Sequence, residues 1–138
     1  MLTSGRLVEY EGGGDETRSN PWLAELQQEN FVEINPKDAN ERGVRDGEYV
    51  WVLSANPQGN PKIKVKALVT ERVGPGTTFI PFHFSGWWQG KDMLEFYPEG
   101  AAPIVRAEAV NTATTYGYDS VTMMQETKTT LCQVAKTA

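Results

Sequence analysis

The stretch from Glu33 to Ser54 constrains the fold more than any other, because each of its breaks is marked by a residue that suits little else. Asn35 can cap a helix, Pro36 fits the first helical position, Asp38 complements the dipole in the first turn, and Gly43 suits a left-handed exit. The helix so bounded is only about two turns long. Asp46 and Gly47 then supply a turn, and Tyr49 to Leu53 make an apolar run rich in strand formers and too short for a confident helix. Phe31 to Ile34 reads as a strand before the helix. Strand, short helix, turn and strand in this order predict a mainly β fold, a barrel with small helices at its corners.

The rest of the chain can be placed around that unit. Gly5 to Tyr10 reads as a short strand, and Glu11-Gly12-Gly13-Gly14-Asp15-Glu16 as a solvent-exposed turn, since no Gly-x-Gly-x-x-Gly or Gly-Lys-Ser/Thr pattern follows. Ser19 or Asn20 can cap a second small helix that starts at Pro21 and puts Trp22, Leu23 and Leu26 on one face. Thr17 and Arg18 then stand just before a helix N-terminus, where a phosphate is favoured. Residues 54–61 form a polar hairpin loop, and Ile63 to Thr70 alternates, with Ile63, Val65, Ala67 and Val69 inward and Lys64 and Lys66 in water. Residues 73–77 make a turn, and Thr78 to Phe84 is a strand in which Pro81 implies an edge, a bulge or an end. Residues 85–109 read as irregular, residues 110–118 as polar without a period, and residues 130–134 as a closing strand.

With 138 residues, this is expected to be one domain with a core of its own. Thirteen basic residues against eighteen acidic ones, with no block of like charge, argue against nucleic acid and against a polybasic membrane patch. Neither a signal peptide nor an apolar run of about 18 residues is present, so no membrane insertion is expected. One cysteine, Cys132, and one histidine, His83, exclude an internal disulfide, a cysteine-rich cluster site and a histidine-based metal centre. No metal ligand is assigned. His83 has no third partner for a nucleophilic triad, and Asp15 with Glu16 or Asp46 with Glu48 have loop and turn explanations, so no catalytic residue is assigned either. Met123-Met124 reads as core or interface filler and Cys132 as a small buried residue. What remains is a scatter of polar motifs: Thr3-x-Gly5-Arg6, Thr17-Arg18-Ser19, Asn111-x-x-Thr114 and Gln125-Glu126-Thr127-Lys128. Converged, they would suit an extended anion with heterocyclic ends, cations on phosphates and amides on ring edges.

In these motifs and their order, the chain resembles the C-terminal molybdopterin dinucleotide-binding domain of the dimethyl-sulfoxide-reductase family. The resemblance rests on Leu2-Thr3-Ser4-Gly5-Arg6, on Glu33 to Ala39 with Gly43 to Val50, on Gly76-x-x-Phe79-x-Pro81-Phe82-His83, and on Asn111-x-x-Thr114, Tyr118-Asp119 and Lys128. His83-Phe84-Ser85-Gly86 and the later order look most like formate dehydrogenase catalytic (alpha) subunits. The resemblance implies a six-stranded double-psi β-barrel binding part of a bis(molybdopterin guanine dinucleotide) of molybdenum or tungsten. It implies a single domain, 1–138, excised from a longer catalytic subunit and inactive alone, the metal ligand and 4Fe-4S cluster lying in the other domains. Carried over residue by residue, the cofactor contacts fall on Thr3, Gly5, Arg6, Thr17, Arg18, His83, Asn111 and Lys128. Its partners would be those other domains and an electron-transfer subunit, in bacterial or archaeal cytoplasm or periplasm.

Two departures stand out. Where many members carry a histidine in the loop after the first strand, this chain has Gly12 to Glu16; and the segment from Trp87 to Ala109 is longer than usual, suggesting packing against a domain or subunit. A nitrate reductase or other oxidoreductase of the family, and a free-standing barrel serving as an adaptor without cofactor, are the alternatives.

Overall fold

The computed structural model describes residues 1–55, 59–115 and 117–137. Its strands are β1 (Leu2–Gly5), β2 (Phe31–Ile34), β3 (Tyr49–Ser54), β4 (Lys62–Val69), β5 (Thr78–Pro81), β6 (Gly86–Trp88), β7 (Lys91–Asp92), β8 (Ala107–Glu108), β9 (Thr129–Thr130) and β10 (Cys132–Lys136). The helices are α1 (Pro21–Leu26) and α2 (Pro36–Arg42), and 3₁₀ turns occur at Thr17–Ser19, Leu94–Phe96 and Val110–Thr112. Asn56, Pro57 and Gln58 of the loop expected at 54–61, and Tyr116 of the polar segment, lie outside the described residues.

The opening unit forms as its punctuation requires. Asn35 Oδ1 accepts the Lys37 N–H at 3.0 Å, Pro36 opens α2, and Gly43 leaves it at φ +64°. The cap residues also hold a distant turn: Asn35 Nδ2 donates to the Val73 carbonyl at 2.8 Å, and the Asp38 carboxylate accepts the Gly76 N–H at 2.6 Å. Asp38 therefore does more than complement the helix dipole.

Seven strands pair in the order β10-β3-β4-β2-β5-β1-β9. Two pairs are parallel, β2 with β4 and β1 with β5, and the rest antiparallel. The strands at the two ends of that order, β9 and β10, are separated along the chain by Leu131 alone. Alternation builds the core, with Val50 and Val52 of β3 and Ile63, Val65 and Ala67 of β4 packing among Leu2, Val32, Ile34, Ile80 and Val134. Each such Val, Leu or Ile contributes about 1.5–3 kcal/mol relative to an exposed one. Lys64 and Lys66 are only half in water: both ammoniums lie over the Tyr49 ring, at 5.3 and 5.9 Å, and Lys66 pairs with Glu29 at 2.5 Å.

Three expectations are corrected. The first strand is Leu2–Gly5, not Gly5 to Tyr10, because beyond Gly5 the backbone turns to a side chain, Leu7 N–H donating to His83 Nε2 at 2.8 Å. Helix α1 is capped by Asn20, but Trp22 and Leu26 are 79% and 70% exposed, and the buried residue is Ala24. Residues 85–109 are only partly irregular: β7-β6-β8 form a small sheet within them, with Gln89 and Gly90 both at positive φ in a tight hairpin turn. Arg106 clasps Asp92 through two hydrogen bonds, at 3.0 and 2.8 Å, which hold the Asp92 carboxyl below its ordinary range.

Glu108 fastens this small sheet to the large one. Fully buried, its carboxylate accepts the N–H groups of Lys64 and Gln89, both at 3.2 Å, and of Gly90. Its carbonyl accepts Asn30 Nδ2 at 2.8 Å. Burial pushes the carboxyl up and the three amides pull it back. Replacing Glu108 by Ala leaves those buried donors unpaired and is expected to destabilise the protein by at least about 1–3 kcal/mol, with Glu108→Gln losing less. Urea denaturation of the three proteins checks that order.

Candidate anion-binding site

Three strand ends meet where the polar motifs converge. Strand β1 lies between β5, parallel with Gly5 opposite Pro81, and β9, antiparallel with Thr3 opposite Thr129. Ser4 N–H donates to the Lys128 carbonyl at 3.0 Å and Phe82 N–H to the Gly5 carbonyl at 3.2 Å. Arg6, Phe82 and Lys128 therefore leave the sheet side by side. Gly5 is required by proximity, since a Cβ there would stand 2.7 Å from the Phe79 ring. Thr3 Oγ1 donates to the Thr78 carbonyl at 2.9 Å.

Both cations converge on one ring. The Arg6 guanidinium carbon lies 5.5 Å and Lys128 Nζ 4.9 Å from the Phe82 centroid. Both side chains are exposed, and among the described residues neither pairs with a carboxylate. Two cations gathered at one ring favour a nearby anion. Asn111, exposed in the 3₁₀ turn, keeps its carboxamide unbonded among the described residues. Its turn is tied to the same sheet edge, as Thr115 and Thr130 share a hydroxyl hydrogen bond at 2.7 Å. Thr3, Gly5, Arg6, Asn111 and Lys128 thus lie on strands or turns joined at β1 and β9. A groove of about 760 Å³ runs from Arg6 past Glu9, Gln28 and Asp46 to Arg72.

Arg18, Thr17 and His83 are placed differently from a direct contact with a ligand. Arg18 is 4% exposed; its Nε donates to the Gly14 carbonyl at 3.0 Å, and Nη1 to those of Ser85 at 3.1 Å and Val105 at 3.4 Å. Its Nη2 lies 3.6 Å from Asp15. Thr17 Oγ1 accepts the Glu11 N–H at 3.2 Å. His83 has no exposure at all: Nε2 accepts from Leu7, so the proton is on Nδ1, which donates to the Gly12 carbonyl at 2.7 Å. Burial holds this imidazole below its ordinary value of 6.5. These three residues shape the first loop, whose Gly12 and Gly13 are exposed as expected while Gly14 is buried. Gly14 sits at φ +78°, and a Cβ there would collide with the His83 carbonyl.

Phe82 and Glu108 were not singled out from sequence as functional or structural anchors. An aromatic after a strand-ending proline, and a lone carboxylate among Val105, Ala107 and Val110, were the available signals.

The arrangement defines a mainly β domain with an exposed cationic rim, suited to an anionic ligand carrying phosphates. The chain belongs to the Molydopterin dinucleotide binding domain family, whose model matches residues 1–131. It is similar to F420-dependent formate dehydrogenase 2 subunit alpha of Methanococcus maripaludis, 33% identical over 136 residues, which cover 99% of this chain and 16% of that protein. It is also similar to formate dehydrogenase 2 subunit alpha (cytochrome c-553) of Nitratidesulfovibrio vulgaris, 29% identical over 99% of this chain and 12% of that one. The chain therefore spans less than a fifth of these relatives. Its fold is similar to that of acetylene hydratase from Pelobacter acetylenicus, with a TM-score of 0.71 at 18% identity, over 99% of this chain and 18% of that one.

The depressed His83 titration sets a pH dependence. Because the folded value lies below the unfolded one, the stability it contributes is complete above about pH 6.5 and is lost as pH falls toward the folded value. Denaturation midpoints between about pH 7 and pH 5 are expected to fall more steeply for the wild type than for His83→Gln, which is already weakened at pH 7.

Proposed function

We propose that this chain binds part of a bis(molybdopterin guanine dinucleotide) in a molybdenum or tungsten oxidoreductase of the formate dehydrogenase kind, oxidising formate to carbon dioxide. The observation that carries the reading is the pair of exposed cations, Arg6 and Lys128, over Phe82 at the joined ends of β1, β5 and β9, with no carboxylate partner among the described residues. That donor set fits a diphosphate, with charge-assisted hydrogen bonds from Arg6 and Lys128. Thr3 and Gly5 would hold the strand end from which Arg6 projects, and Asn111 would offer its carboxamide, unbonded among the described residues. Arg18, Thr17 and His83 would serve by fixing the first loop. When bound, the cofactor supplies the metal-centred redox chemistry; this chain's residues hold and orient its nucleotide end.

The iron–sulfur cluster and the metal's protein ligand would lie in other domains of a longer catalytic subunit, with an electron-transfer subunit as a further partner. Among the described residues no group of histidine, cysteine and carboxylate side chains suited to a metal occurs, and no helix is long and apolar enough to cross a membrane. The seven-stranded order also supports a six-stranded double-psi barrel. Its end strands β9 and β10 count as one strand interrupted at Leu131, and the two parallel pairs supply the crossed connections.

Arg6→Ala in the full-length subunit is expected to weaken cofactor retention by about 1.5–3 kcal/mol, roughly 10- to 100-fold. Molybdenum or tungsten and guanine nucleotide per subunit, after dialysis, measure it. Wild-type content in that variant would remove Arg6 from the site.

A further inference from the structure

We propose that Phe82 is a positioning residue, an aromatic platform that holds Arg6 and Lys128 together so that both face one diphosphate. The inference rests on the reading of those two cations as phosphate-binding and assigns their geometry to a residue that carries no charge.

Arg6 and Lys128 reach the ring from different strands, one just past β1 and the other just before β9. Long flexible side chains with no ion pair among the described residues would otherwise separate, since like charges repel and rotamer entropy favours dispersal. A ring face attracts both through its quadrupole. Phe82 can act in this way because it is itself fixed. Its N–H is held by Gly5, its ring packs on the buried core, and its centroid lies 4.6 Å from that of the immobile His83 ring. The platform therefore stands beside the Gly5 strand end, whose missing Cβ leaves room for the Phe79 ring. A leucine would fill the same space and offer no attraction to either cation.

The test uses the full-length subunit with Phe82→Leu, Phe82→Tyr, Arg6→Ala and Lys128→Ala, and reads guanine nucleotide retained per subunit across rising salt, beside the thermal midpoint. Phe82→Leu is expected to retain the cofactor roughly three- to tenfold less well, and Phe82→Tyr as well as wild type. Combining Phe82→Leu with Lys128→Ala is expected to cost less than the two losses together, as for residues acting through one contact. If Phe82→Leu does not fold, Phe82→Met, apolar and without a π face, takes its place. Full retention by the leucine or methionine variant, or equal loss in the tyrosine variant, overturns the platform while losses in Arg6→Ala and Lys128→Ala leave the site standing. Full retention in both cation variants overturns the site reading and the platform with it.

Discussion

The rim of this domain depends on one neutral imidazole with both of its nitrogens engaged. His83 takes the Leu7 N–H that β1 would otherwise leave unpaired as the chain departs from the sheet, and it gives its own proton to Gly12 on the far side of the first loop. A charged imidazole has no acceptor nitrogen, so protonation would break the first of these bonds. The residue also sets the height of its neighbours: its backbone carbonyl fills the space a Cβ at Gly14 would need, and Phe82 before it carries the two rim cations. Arg6 and Lys128 are thus displayed on a surface whose depth is set by a residue they do not touch in any hydrogen bond.

Two buried charges are accommodated by a common device. Arg18 is surrounded by carbonyl oxygens of Gly14, Ser85 and Val105, and Glu108 by amides of Lys64, Gln89 and Gly90. Neither relies on a buried opposite charge, whose desolvation would add a second penalty. Both join the segment beyond β5 to the rest of the molecule, Arg18 to the first loop and Glu108 to β4. That long segment is therefore pinned at both ends by fixed dipoles.

Legibility in the sequence followed the range of the forces involved. The Asn35 to Gly43 helix and the alternation of β4 are local patterns, and both form where they were expected. Strand β1 was misplaced because its partners lie more than seventy residues away and only Leu2 in it is strongly apolar, so no local period marks it. Trp22 and Leu26 share one face of α1 as the helical period requires, yet that face is exposed and the helix buries Ala24 instead. Among the site residues, Arg6, Asn111 and Lys128 were legible as exposed polar groups in a family motif. That Arg18 and His83 would be enclosed was not, since enclosure arises from carbonyls that carry no side-chain signature.

The single residue between β9 and β10 bears on how this chain comes off the ribosome. Strand β1 is made well before its partners: its parallel neighbour begins only at Thr78 and its antiparallel one only at Thr129. The same final stretch then continues through Leu131 to zip against β3. Until it appears, β1 and β3 each present an open backbone edge, a condition that favours mispairing. Late completion of this kind leaves strand edges without partners through most of the domain's synthesis, the stage at which unpaired edges are most prone to aggregate.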